Sequence, residues 1–213
     1  MGRYLNASDH NTVKAMTLYR KNLKLSHELF TIISCFEVTL RNAIDRYLLI
    51  HLGPDWLCKA VAKGGIFDNA QCSTTANTIK DTLKVLGNQY SHNKLVTSLG
   101  FGFWRYLFSR HQYRATGQCL LNIFPAKPPS TNLIKLNALF IFNQLAQVNI
   151  IRNRIAHHEP ICFLEVQPVK NTSYVRYHYD LILKLFKWLA VDEHALLYGL
   201  DHIERICDEI DEL

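Results

Sequence analysis

From Phe30 to Tyr47 the chain reads FTIISCFEVTLRNAIDRY, and this stretch decides the fold class. Phe30, Ile33, Glu37, Leu40, Ile44 and Tyr47 step by three and four, which places them on one face of a helix. Five of the six suit a core, and Glu37 is the exception. The same period recurs on both sides. Ser8 or Asp9 is placed to cap an earlier segment through Leu23, and Ser26 to cap the quoted one. Gly53-Pro54 ends the long helix, and Pro54 suits the start of the next, over residues 55–61. Lys63-Gly64-Gly65 reads as a loop, and residues 75–86 as a helix stopped by Gly87. Ser91 caps a short helix through Leu99, Gly100-Phe101-Gly102 breaks the pattern, and Trp104 to Phe108 resumes it. Pro125 to Ser130, with three prolines, is the clearest internal linker.

Beyond the linker, Leu133, Leu136, Phe140, Ile141, Leu145, Val148, Ile151 and Ile155 form an apolar stripe on a helix of about 25 residues. Glu159-Pro160 ends it, because the residue before a proline avoids the α region. Residues 161–169 alternate weakly and suit an extended segment. Residues 179–189 are amphipathic helix, and the tail adds one or two more. The pattern predicts an all-α bundle forming one domain over residues 1–213. Its core is expected over about 26–190, with an acidic helical tail over 192–213.

The chain has 213 residues and 24.7 kDa, enough to bury a core without disulfide or metal staples. Hydrophobic residues at 48% and charged residues at 20% exclude a disordered or fibrous chain. The net charge of +6 hides a sharper pattern. Residues 82–158 contain no acid, yet hold Lys84, Lys94, Arg105, Arg110, Arg114, Lys127, Lys135, Arg152 and Arg154. Residues 192–213 invert this, with eight acids against Arg205 alone. Such asymmetry points to a polyanionic partner, most simply nucleic acid. The six cysteines form no C-x-x-C pair and mostly have apolar neighbours, so reduced buried thiols are expected. The N-terminus lacks a signal-peptide apolar region, and no run is long enough to span a bilayer. A cytoplasmic location without membrane association is the expectation.

The long helix ends in Asn149-Ile150-Ile151-Arg152-Asn153-Arg154-Ile155-Ala156-His157-His158-Glu159-Pro160. Asn149, Asn153 and His157 are each four residues from the next and line one face, and Arg152 can fold onto the same surface. A cation, an amide and an imidazole therefore converge where the helix ends. Cations in a last helical turn also favour the negative end of the macrodipole, which is the structural reading of the same residues. A zinc site from His157, His158 and Cys162 lacks a fourth ligand, so neither metal nor cofactor is expected.

The run Arg152-Asn153-Arg154-Ile155-Ala156-His157-His158-Glu159-Pro160 resembles the Arg-x4–6-His signature of HEPN domains. It is similar in particular to the Abi-like abortive-infection proteins of bacteria (the AbiD/AbiF group). Phe36-Glu37-Val38-Thr39-Leu40-Arg41-Asn42-Ala43-Ile44 resembles that family's N-terminal helix motif. Leu99-Gly100-Phe101-Gly102-Phe103-Trp104-Arg105-Tyr106-Leu107-Phe108 resembles its central aromatic block. The resemblance covers about residues 36–160, in the family's order, and implies a HEPN-type helical bundle with metal-independent endoribonuclease activity in phage defence. It also implies a homodimer joining two Arg-x4–6-His motifs, since Arg41-Asn42 is followed by Tyr47 where a histidine would be wanted. A structured non-coding RNA is a further partner that the family suggests.

In that chemistry the 2′-OH of RNA is the nucleophile, so the protein moves protons and offsets charge. His157 is the candidate acid and base. Arg152 would hold the phosphate, and Asn153 would orient the histidine or the backbone. The products would be a 2′,3′-cyclic phosphate and a 5′-hydroxyl. His158 fits the looser spacing but also suits a place against the core. Glu37, Arg41 and Asn42 are either a structural set with an i,i+4 ion pair or a clamp beneath the site. Arg154, Arg105, Arg110 and Arg114 are candidate RNA contacts, while the rings between residues 101 and 113 suit core packing more than base stacking. Two other readings stay open: an RNA-binding HEPN module that does not cut, and a toxin subunit held by a protein antitoxin. The acidic tail is expected off the RNA path; if it covered the motif, autoinhibition would follow.

Overall fold

The computed structural model describes residues 1–164 and 167–213. Among them the chain is helical: α1 (Gly2–Asn6), α2 (Thr12–Leu52), α3 (Trp56–Val61), α4 (Ser73–Leu86), α5 (His92–Ser98), α6 (Phe101–Tyr106), α7 (Arg110–Ala115), α8 (Ala138–Ala156), α9 (Ser173–Trp188), α10 (Glu193–Leu196) and α11 (Ile203–Asp211). The all-α expectation holds. The segment expected to be extended contributes one isolated antiparallel bridge, Phe163 with Lys170, and part of it lies outside the described residues. None of the described helices is long and apolar enough to cross a membrane.

Two helix starts are corrected, besides Ser8 and Asp9, which give way to Asn11 as the cap of α2, and Gly100-Phe101-Gly102, whose last two residues belong to α6 and do not break it. Ser26 does not cap a second helix, because α2 runs unbroken for 41 residues. Nothing between Thr12 and Leu52 is Gly or Pro, so no residue stops it. Its start is capped by Asn11, whose Oδ1 accepts the Lys14 N–H at 3.0 Å. Second, α8 begins at Ala138 and not near Leu133, which is 96% exposed. The Ser130 and Thr131 hydroxyls accept the N–H groups of Leu136 and Ile134, each at 3.0 Å, and so hold this stretch in turns. Asn137 then caps the helix by accepting the Phe140 N–H at 3.0 Å.

The chain divides into two compact units. The first comprises Met1–Phe36, Gln147–Lys187 and Val191–Leu213. Its core takes Leu25, Leu29, Ile32, Ile33 and Phe36 from α2, Val148, Ile151 and Ile155 from α8, and Val175, Ile182 and Phe186 from α9. Phe36 and Phe186 meet edge to face with centroids 5.3 Å apart. α11 closes this core with Ile203, Ile206, Cys207 and Ile210, a clean i, i+3, i+4, i+7 stripe. The second unit comprises Glu37–Ala146 and Trp188–Ala190. Leu40, Ile44 and Leu48 of α2, Trp56, Phe67, Ile79, Trp104, Phe108, Ile141 and Leu145 fill it. The expected α2 face is right at Ile33, Leu40 and Ile44, whereas Phe30 lies at the exposed flank. A stripe kept by alternating steps of three and four drifts about 20° per heptad around the axis.

Candidate functional site

The candidate residues of the first unit gather where α8 ends, and the ending itself is well defined. His158 adopts φ +57°, the left-handed conformation usually given to Gly. The Glu159 N–H returns to Arg154 O at 2.9 Å and the His158 N–H to Ile155 O at 2.9 Å. These two bonds make a Schellman motif with a histidine at its left-handed position. Arg154 locks the turn from one side. Its Nη2 donates to Pro160 O at 3.0 Å, its Nε lies 3.3 Å from Glu159 Oε2, and its guanidinium sits 4.6 Å from the Tyr174 ring centroid. Buried Asn22 of α2 holds the chain beyond it, accepting the N–H groups of Ile161 at 3.0 Å and Cys162 at 3.3 Å.

This scaffold presents the polar face predicted from the spacing. Asn153 and His157 are exposed, Asn149 and Arg152 half-buried. Arg152 Nη1 reaches Asn153 Oδ1 at 3.4 Å, and the His157 N–H donates to Asn153 O at 2.9 Å. His157 and His158, adjacent in sequence, are separated in role. His157 continues the helical face, while His158 is turned by its left-handed backbone to line a groove of about 340 Å³ with Leu23, His27, Phe30 and Ile155. Cys162 lies in the core with its thiol pushed up to about 12 by burial, so it stays protonated.

The remaining candidates belong to the second unit. Glu37 and Arg41 are half-buried and Asn42 is exposed on α2. The Arg41 Nε is buried without a hydrogen-bond partner among the described residues. Tyr47 carries His51 stacked on it at 4.0 Å, so the nearest histidine to Arg41-Asn42 stands one turn later than the motif requires. In the aromatic block Phe101, Phe103, Trp104 and Phe108 are buried, as core packing predicts, and Tyr106 is exposed. Arg105 is occupied structurally, its guanidinium 4.2 Å from the Phe142 centroid and 5.2 Å from that of Tyr106. Arg154 has the structural occupation described above. Arg110 and Arg114 are the exposed cations of the block.

Two residues of the first unit were not singled out by the sequence reading. Asn22 interrupts the apolar face of α2, a signal readable only once the helix is known to run through it. His178 is 1% exposed, with Nδ1 2.8 Å from Tyr174 O and a buried Nε2 without a partner among the described residues. Burial, with the Arg154 charge adding to it, holds this imidazole below its ordinary range, so it is neutral. The acids of the tail find partners inside the first unit. Arg176 of α9 pairs with Glu204, Asp208 and Asp211, and Lys21 of α2 with Glu209 at 2.7 Å, while the tail's His202 meets Glu28 of α2 at 3.1 Å. Compared with protein-family models, with curated proteins and with solved structures, the chain has no match.

Proposed function

We propose that the end of α8 is the centre of a metal-independent endoribonuclease of the HEPN kind, in an Abi-like protein of phage defence. The observation that carries this reading is the exposed Asn153/His157 face beside Arg152, on a helix end fixed from both sides. The absence of acids from residues 82–158 supports it, because the stretch leading into the site has no carboxylate to repel a phosphodiester, and Glu159 just beyond it is paired with Arg154. His157 exchanges protons with the 2′-OH and the leaving 5′-oxygen, and Arg152 offsets charge on the non-bridging oxygens. Two copies of the chain bring two such motifs together, and a structured RNA is the regulator.

The test is RNA cleavage with and without EDTA by the wild type, Arg152→Ala and His157→Ala. The wild type is expected to leave 2′,3′-cyclic phosphate ends and to ignore the chelator. His157→Ala should lose about 10²–10⁴-fold in rate while still binding RNA. Wild-type speed from His157→Ala, or cleavage abolished by EDTA, would overturn the proposal. RNA bound but uncut by all three proteins would establish the non-catalytic module instead.

A further inference from the structure

Two neighbouring cavities open in the second unit, and they share Gln71 as a wall. The larger, of about 480 Å³, has a hydroxyl and amide side and an aromatic side. Thr74, Thr75 and Thr78 of α4 line the hydroxyl side, the Thr78 hydroxyl donating to Thr74 O at 2.9 Å and so offering its oxygen as an acceptor. Gln112 supplies a fixed amide. It is 7% exposed, accepts the Ser109 hydroxyl at Oε1, and donates from Nε2 to Thr75 Oγ1 at 3.0 Å. One of its two amide N–H donors is thereby spent, and the other remains for a ligand edge.

The aromatic side is Phe103 and Tyr106. Tyr106 is 49% exposed, yet it is held by the Arg105 guanidinium and by the edge of Phe142 at 5.5 Å. An exposed ring braced in this way is a ready stacking platform. The smaller cavity, of about 300 Å³, carries His111 and Arg114, donors for a phosphate, beside Asn69, whose amide is held by Ile66 O and the Cys72 N–H. No acid lines either cavity among the described residues. Gly102 completes the case. It stands inside α6, where Gly costs helix stability, and a Cβ built there meets nothing within 4 Å. No side chain at this position narrows the larger cavity.

We infer that these paired cavities bind one unpaired purine nucleotide, its base against Tyr106 and the Gln112 amide and its phosphate at Arg114 and His111. The volume and the stacking ring favour the larger, more strongly stacking purines over pyrimidines. The ligand is either a nucleotide unit of single-stranded RNA or a free mononucleotide, since the recognising groups are the same. The inference stands whether or not the chain cuts RNA.

Calorimetric titration of the full chain tests it, with AMP, GMP, UMP, CMP, inorganic phosphate and an oligoadenylate as separate probes. A purine nucleotide should bind saturably, about tenfold tighter than either pyrimidine or phosphate. Competition by oligoadenylate below the AMP concentration identifies RNA as the source; competition by AMP alone identifies a free nucleotide. Tyr106→Ala and Arg114→Ala should each weaken binding about tenfold. Gly102→Leu should abolish it without lowering the melting temperature, a combination that a misfolded variant does not give. The inference fails if no nucleotide binds below about 10 mM, or if Gly102→Leu and Tyr106→Ala bind as the wild type does.

Discussion

The acidic tail and the acid-free stretch handle charge in opposite ways. In the tail, acids are engaged by nearby cations: Arg176 takes three carboxylates of α11, and Glu209 takes both Lys21 and Arg205. In the stretch, Lys84 and Arg154 reach acids just outside its ends, Asp81 and Glu159. Arg105 rests on aromatic rings, and Arg110 and Arg114 face outward. A surface with surplus acids repels a polyanion, and one with surplus cations attracts it. The tail's charges therefore belong to stability, and the stretch's charges fit ligand binding.

The His157→Ala experiment is the strongest trial of that division, because its expected effect of about 10²–10⁴-fold falls on rate while folding is untouched. Next in size is Arg176→Ala. It leaves three tail carboxylates without their shared cation and should cost about 2 kcal/mol in urea unfolding, an effect that shrinks in high salt. A smaller effect is expected at the helix end. His158→Gly relieves a left-handed histidine and should add about 1 kcal/mol, read as a higher melting temperature. Cleavage retained in that variant would leave His157 as the acting histidine; cleavage lost would shift the role to its neighbour.

The helix content and most stops were legible in sequence because they rest on local chemistry. Gly53 and Gly87 end helices with positive φ, and Ser91 caps α5 through a 3.2 Å bond to the Lys94 N–H. The misjudged boundaries are places where one local choice competes with another. Ser26 looked like a cap, but with no breaker nearby its side chain cannot outweigh continued helix. Leu133 and Leu136 have helical spacing, yet two hydroxyls take the N–H groups of Ile134 and Leu136 first. At the site, the spacing of Asn149, Asn153 and His157 carried over into geometry because a helix imposes it. The occupations of Arg154 and Arg105 did not, since Tyr174 and Phe142 lie 20 and 37 residues away in sequence. Only the fold brings such partners to the charge.

Buried His178 couples the stability of this protein to protons. Its folded form resists protonation, so the unfolded chain takes up the proton more readily. The stabilisation is complete above the ordinary histidine pKa near 6.5 and drains away as pH falls through the lower folded value. Urea midpoints should thus drop between neutral and mildly acidic pH, and His178→Gln should flatten that drop; an equal drop in the variant would place the proton elsewhere. Because the same imidazole lies beside Tyr174 and within reach of the Arg154 charge, acidification would loosen the helix α9 that backs the Arg154 clamp. The helix that backs the end of α8 thus carries a proton-sensitive side chain in its buried face.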